Sequence, residues 1–72
     1  MTIRAYYGLK RGGSGCRSIT TAEEAEKILK GGYGVTNVRL ENEQGDLIGQ
    51  RWKDTEHRRP RWYWFYEQDA FK

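Results

Sequence analysis

Five consecutive aromatic residues at positions 62–66, WYWFY, limit the fold more than any other part of the sequence. Aromatic side chains favour extended backbone, so residues 61–66 are predicted to form a β-strand. Alternate side chains of a strand point to opposite faces. One face carries Trp62, Trp64 and Tyr66, and the other carries Tyr63 and Phe65. A chain of 72 residues has too little apolar material to bury both faces of a sheet, so one aromatic face is expected at the surface.

The other elements follow from periodicity, turns and capping residues. The remaining predicted strands span residues 3–8, 35–41 and 46–53, with a hairpin turn at residues 42–45. Residues 20–30 are predicted to form a helix, because Thr20 or Thr21 can cap its start and two glycines follow its end. The order β-α-β-β-β predicts a small single α+β domain over residues 1–72. In this domain one helix packs on one face of an antiparallel meander sheet.

The glycine-rich segment at residues 10–17, KRGGSGCR, is predicted to be a loop, because three glycines within four residues oppose regular structure. Consecutive backbone amides in such a loop can bind an anion. The segment lacks the lysine followed by serine or threonine that closes a Walker A motif. A flexible surface loop is the simpler interpretation.

The apolar stripe of the predicted helix is narrow and rich in alanine, which leaves limited room beneath it. We therefore expect Tyr63 and Phe65 to point towards the helix. The strand at residues 46–53 does not show which face of the sheet is buried, because the apolar Ile48 shares its face with the polar Gln50. The predicted binding face on the uncovered side of the sheet consists of Arg4, Tyr6, Arg39, Trp62, Trp64 and Tyr66.

Basic residues are concentrated in two blocks, although the net charge is only +3. Residues 1–18 contain four bases and no acid, residues 19–50 contain three bases and six acids, and residues 51–61 contain five bases and two acids. A segregated field of this kind steers an anionic partner. The predicted basic-loop contacts to such a partner are Lys10, Arg11, Arg17, Arg51, Arg58, Arg59 and Arg61. A solvated turn, in which these bases pair with neighbouring carboxylates, is the alternative.

Three interpretations of the aromatic and basic face stay open. Exposed rings and guanidinium planes stack on bases, and arginines pair with phosphates, which suits single-stranded nucleic acid. Tryptophan, tyrosine and arginine also anchor protein interfaces. Alternatively, arginine stems lie over the tryptophans and complete a small core through cation–π contacts.

Catalysis, a cofactor and a metal ion are not expected. No motif orients the single histidine, His57, and the single cysteine, Cys16, towards each other, and no ligand spacing typical of zinc is present. No apolar run approaches the ~20 residues of a membrane span, and no secretory signal pattern is seen. A single cysteine cannot form an internal disulfide, which indicates a reducing compartment and a cytoplasmic protein.

The organisation of the whole chain resembles the small accessory proteins of phages and mobile elements, among them anti-CRISPR proteins with compact sheet-plus-helix forms. The resemblance rests on no specific motif and transfers no functional residue. It implies a role in blocking a nucleoprotein machine by occupying a nucleic-acid-binding surface. The basic blocks depart from an acidic DNA mimic, so such an inhibitor would bind an acidic protein surface, nucleic acid or both.

The sequence therefore predicts a non-enzymatic binding module that acts on a protein partner as an inhibitor or adaptor of a nucleoprotein machine. Direct, largely non-specific binding of nucleic acid is the alternative, and a small structural or interaction domain is the second alternative. Trp62 and Trp64 are expected to be exposed. Their replacement by alanine is expected to weaken binding of the partner more than stability.

Overall fold

The computed structural model describes residues 3–56 and 58–67, which form one five-stranded antiparallel sheet and one α-helix. The strands are β1 (Ile3–Leu9), β2 (Ser14–Ile19), β3 (Val35–Glu41), β4 (Leu47–Asp54) and β5 (Arg61–Tyr66). The helix α1 (Ala22–Leu29) follows β2, and a short 3-10 helix (Gly32–Gly34) leads into β3. The strand order is β2-β1-β3-β4-β5. The predicted small α+β domain is confirmed, while His57 lies outside the described residues.

One strand was not predicted from the sequence, because only the first part of the glycine-rich segment at residues 10–17 is a turn and the rest belongs to β2. Gly12 and Gly13 turn the chain with φ values of 96° and 88°, and β2 then pairs antiparallel with β1. Gly15 lies opposite Tyr7, and a Cβ atom on Gly15 would approach the Tyr7 ring to 2.6 Å. The small residues of β2 therefore make room for a ring of β1. The observed order is β-β-α-β-β-β.

The helix begins where the capping pattern predicts. The Thr21 hydroxyl accepts a hydrogen bond from the Glu24 N–H at 3.2 Å, and the Glu24 carboxylate accepts one from the Thr20 N–H at 3.4 Å. These contacts satisfy N–H groups that have no partner within a helix. Ala25, Ile28 and Leu29 are buried and pack α1 against one face of the sheet. No helix in the described part of the chain is both long and apolar enough to cross a membrane.

A β-bulge between β3 and β4 sets which side chains of β4 enter the core. Leu40 lies opposite Gly49, whereas the next residue, Glu41, lies opposite Leu47, so Ile48 is the extra residue. Ile48 is buried with the core residues of β1 and β3. A bulge locally disrupts the alternation of side chains. Arg51 consequently points to the helix side, although simple alternation would put Ile48 and Arg51 on opposite faces.

Candidate binding face

The strand register assigns every row of the sheet to one of two faces. Two rows of directly opposed residues cross all five strands next to each other on one side: Gly15–Tyr7–Val38–Arg51–Trp64 and Arg17–Ala5–Leu40–Gly49–Tyr66. Ala5, Val38 and Leu40 are buried in the core, so these rows lie on the side of the helix. The row Cys16–Tyr6–Arg39–Gln50–Phe65 lies on the opposite side. We call that side the open face, because no element of the described residues packs on it.

The open face carries rings and arginines together. Its large aromatic side chains are Tyr6, Trp52, Tyr63 and Phe65, with exposed fractions of 40%, 37%, 38% and 44%. Its arginines are Arg4, Arg39 and Arg61, all of which are exposed. Contiguous exposed apolar surface with a polar rim is typical of an interaction site. The open face is therefore the best candidate for a binding surface among the described residues.

The rings of β4 and β5 support one another. The ring centroids of Trp52 and Tyr63 are 5.8 Å apart with an interplanar angle of 26°, and the edge-to-face pair of Trp52 and Phe65 has a separation of 6.1 Å. Cross-strand aromatic pairs of this kind stabilise a sheet and restrict ring rotation. The open face thus offers a preorganised aromatic surface.

A cation and an amide lie between the rings in the central row. Tyr6 and Phe65 are three strands apart, about 14 Å at the usual strand spacing, with Arg39 and Gln50 between them. The Nε atom of Arg39 pairs with the Glu41 carboxylate at 3.1 Å, which orients the guanidinium on the surface. A groove of about 410 Å³ runs here, lined by residues that include Tyr6, Arg39, Gln50 and Trp52. The row combines stacking surfaces with donors for anions and for base edges.

The loop between β4 and β5 extends the open face with positive charge. Arg58, Arg59, Arg61 and Tyr63 line a second cavity of about 400 Å³. These three arginines are exposed, as predicted for basic-loop contacts. Lys10 and Arg11, in the turn between β1 and β2, are also exposed, at the opposite end of the strand order.

Two residues of the predicted basic loops belong elsewhere. Arg17 lies on the helix side of β2, where its guanidinium is 4.2 Å from the centroid of the Tyr33 ring. Arg51 is only 7% exposed. Its guanidinium donates hydrogen bonds to the Leu29 and Thr36 carbonyls at 3.1 and 3.0 Å, and burial lowers the pKa of Arg51 below its ordinary value. Arg51 is therefore not the exposed basic-loop residue that was predicted, since this side chain lies in β4 and joins α1 to β3.

The predicted orientation of β5 is wrong as well. Trp62, Trp64 and Tyr66 lie on the helix side, whereas Tyr63 and Phe65 lie on the open face. Room beneath the helix does not limit the side chains of β5, because α1 packs against β2 and β3 and β5 is at the edge of the described sheet. The large rings of β5 stack beside the helix instead. The Trp64 and Tyr66 centroids are 6.0 Å apart, and the Lys30 ammonium is 5.7 Å from the Trp64 ring.

The predicted binding face is thus divided between two sides of the sheet. Arg4, Tyr6 and Arg39 lie on the open face as predicted. The rings that complete this face are Trp52, Tyr63 and Phe65, with Gln50 between β3 and β5. No sequence signal identifies these residues, because the bulge that sets the faces of β4 is not visible in the periodicity of the sequence.

The Tyr66 ring is held to the helix by a polar contact. Its hydroxyl donates a hydrogen bond of 2.8 Å to the Glu26 carboxylate. This bond, together with burial and the negative charge of Glu26, raises the pKa of Tyr66 above its ordinary value. Because Tyr66 is also packed against the core, the contact has a structural role.

Comparison of the chain with protein-family models, curated proteins and solved structures finds no match. The arrangement of the side chains on the open face therefore carries the functional argument alone.

Proposed function

We propose that the protein is a non-enzymatic module that binds single-stranded nucleic acid on the open face, without sequence preference. The observation that carries this proposal is the central row, in which Arg39 and Gln50 lie between the rings of Tyr6 and Phe65. Every base has a π-face that can stack on an exposed ring, and arginines can pair with the phosphates between bases. Stacking of this kind is worth roughly 1–3 kcal/mol per base.

Charge and shape support a single strand rather than a duplex. A flat sheet has no protruding helix or ribbon to enter a major groove, whereas splayed bases can reach rings on a sheet. The arginines of the loop between β4 and β5 continue from Tyr63, so a strand that stacks on Tyr63 can extend its phosphates along Arg58, Arg59 and Arg61. We expect a dissociation constant no better than ~1 µM at physiological salt.

A protein partner is the second candidate, and the protein would then inhibit or adapt a nucleoprotein machine. The ion pair of Arg39 with Glu41 favours it, because this pair presents both signs of charge side by side on the open face. A surface of mixed charge complements another protein better than it complements a uniformly negative phosphate backbone.

Fluorescence anisotropy with a labelled single-stranded oligonucleotide tests the proposal. The variant Tyr63→Ala/Phe65→Ala should weaken binding at least tenfold, because it removes two stacking surfaces. Trp64→Ala is the matched control from the helix side of the same strand and should change affinity less than twofold. Equal losses in the two variants would contradict the assignment of the face. Absence of oligonucleotide binding at low salt would exclude nucleic acid and favour the protein partner.

The single cysteine provides an independent measurement on the unaltered protein. Cys16 is exposed and lies directly opposite Tyr6 in the open-face row. A saturating oligonucleotide should therefore slow the reaction of its thiol with a colorimetric disulfide reagent several-fold. An unchanged rate at saturation would show that the bound strand does not reach β1 and β2.

A further inference from the structure

The outer side of β5 is an exposed strand edge within the described sheet. Its six residues are RWYWFY, and five of them are aromatic. Proteins usually protect an edge strand with charged side chains, an internal proline, a bulge or a covering element. The one charged residue of β5 is Arg61 at its start, the strand has no proline or bulge, and no described element lies beside it. Such an edge is suited to pairing with another strand.

The alternation of β5 shows which backbone groups face outwards. The Glu67 N–H donates to the Ile48 carbonyl at 2.8 Å. Because backbone groups alternate in direction along a strand, Phe65 and Tyr63, which are an even number of residues from Glu67, also direct their N–H and C=O groups towards β4. Trp62 and Trp64 are an odd number of residues from Glu67, so they direct their N–H and C=O groups to the outer edge. A partner strand would therefore pair with Trp64 near the middle of β5.

We propose that β5 pairs antiparallel with β5 of a second copy, in the register that places Trp64 opposite Trp64 of the partner. A two-fold axis through this pair and perpendicular to the sheet makes the contact self-complementary and closed. Tyr63 then lies opposite Phe65 of the partner on the open face. Arg61 lies opposite Glu67 of the partner, so two ion pairs flank the aromatic pairs.

Charge and backbone chemistry favour this register over the one centred on Tyr63. Arg61 already lies opposite Asp54 in β4, and the proposed pairing sets its guanidinium between two carboxylates. The neighbouring register, centred on Tyr63, would place Arg61 opposite Phe65 and bring Pro60 into the ladder. Proline has no N–H to donate, so that register loses both a hydrogen bond and the ion pairs.

The dimer would join two open faces into one continuous surface. Both helices lie on the same side, because the two-fold axis is perpendicular to the sheet. The rings of Tyr63 and Phe65 from both copies then meet at the centre of a ten-stranded sheet. The pairing itself is independent of nucleic acid, so its tests are carried out without oligonucleotide.

Engineered cross-linking tests the register directly. In a Cys16→Ser background, Trp64→Cys places two thiols on directly opposed residues. The Cα atoms of such a pair are about 5.5 Å apart, within the range for a disulfide. Oxidation should give a covalent dimer. Trp62→Cys is the control, because its two copies would be separated by four residues, about 13 Å along the strand, and should not cross-link. Equal or preferential cross-linking of the control would overturn the register.

Sedimentation equilibrium of variants that keep β5 aromatic provides a second test. Glu67→Arg sets like charges opposite each other at two sites and should raise the dimer dissociation constant about tenfold. The double variant Arg61→Glu/Glu67→Arg should restore it to within about threefold. Glu56→Arg makes the same change in net charge in the preceding loop and should leave the dimer unchanged. A wild-type protein that stays monomeric, or that assembles beyond a dimer, would overturn the proposal.

Discussion

The guanidinium of Arg51 lies over the indole ring of Trp62, with 4.1 Å between its Cζ atom and the ring centroid. The same guanidinium donates hydrogen bonds to carbonyls at the end of α1 and in β3. Arg51 therefore connects the helix, the centre of the sheet and the aromatic edge strand. The Lys53 ammonium, 5.9 Å from the same ring, adds a weaker contact.

Arg51→Lys should lower the free energy of unfolding by roughly 1.5–3 kcal/mol, because an ammonium cannot reproduce both hydrogen bonds and the planar stack. Urea denaturation measures this change. Arg58→Lys is the matched control, since Arg58 is exposed, and should stay within about 0.5 kcal/mol of the unaltered protein. Similar losses in the two variants would contradict the structural role of Arg51.

Trp62→Ala should reduce stability by about 0.5–2 kcal/mol, since it removes the ring on which Arg51 stacks. Its effect on oligonucleotide affinity should be less than twofold, because Trp62 lies on the helix side. Thermal unfolding and anisotropy, measured on one preparation, test both statements. A large loss of affinity with unchanged stability would instead support the expectation drawn from the sequence, that the exposed Trp62 ring acts in binding.

Gly49→Ala should destabilise the fold by about 1–3 kcal/mol, because the added methyl group has no space. A Cβ atom at this position would lie 3.0 Å from the Tyr66 Cβ, 3.0 Å from the Leu40 Cδ1 and 3.1 Å from the Phe65 carbonyl oxygen. Chemical denaturation is the measurement. Gln50→Ala, at the adjacent position of β4, should cost no more than about 0.5 kcal/mol. An unchanged midpoint for Gly49→Ala would mean that Leu40 in β3 and Tyr66 in β5 move to make space for the methyl group at no cost in stability.

Stability should fall in alkaline solution through Tyr66. Its hydrogen bond to Glu26 raises the pKa of the folded-state hydroxyl above the value of about 10 that the unfolded chain has. The stabilisation is therefore complete below pH ~10 and is lost as the pH rises through the higher, folded-state pKa. Tyr66→Phe should remove this part of the pH dependence, while Tyr63→Phe should retain it. Denaturation between neutral and alkaline pH, compared among the three proteins, gives the result.

The salt dependence of oligonucleotide binding should correspond to roughly 3–5 phosphate contacts. Arg58→Ala/Arg59→Ala should lower the slope of log affinity against log salt by about 1–2 without changing sequence preference. Arg17→Ala is the control, because this arginine lies on the helix side against Tyr33. A slope that changes equally in both variants would indicate a general charge effect.

Local signals in the sequence were sufficient for most elements. The helix, with its Thr21 cap and terminal glycines, has the predicted boundaries to within two residues, and the turn before β4 has Gly45 in the left-handed region at φ 86°. The bounds of the aromatic strand, Arg61–Tyr66, are as predicted. These features depend on neighbours in the chain, which periodicity and capping describe well.

The faces of β4 and β5 could not be predicted, because they depend on a contact between distant residues. The bulge at Ile48 offsets the alternation of β4, and the register with β5 then carries the offset to the aromatic strand. The buried state of Arg51 has the same origin, since its carbonyl partners come from α1 and β3. A charged residue in a basic segment gives no local sign that it will be buried.

The strand order divides the molecule into parts that open at different cost. β1 has a hydrogen-bonded strand on each side and supplies Ile3 and Ala5 to the core, whereas β5 is bonded to β4 and contributes one half-buried residue. Local opening is least costly where burial and hydrogen bonding are least. In the monomer, amide hydrogen exchange should therefore be slowest in β1 and fastest in β5. The open face of the monomer thus joins a half around Tyr6 and Arg39, on strands bonded on both sides, to a half around Tyr63 and Phe65, whose rings would move only together with the opening of β5.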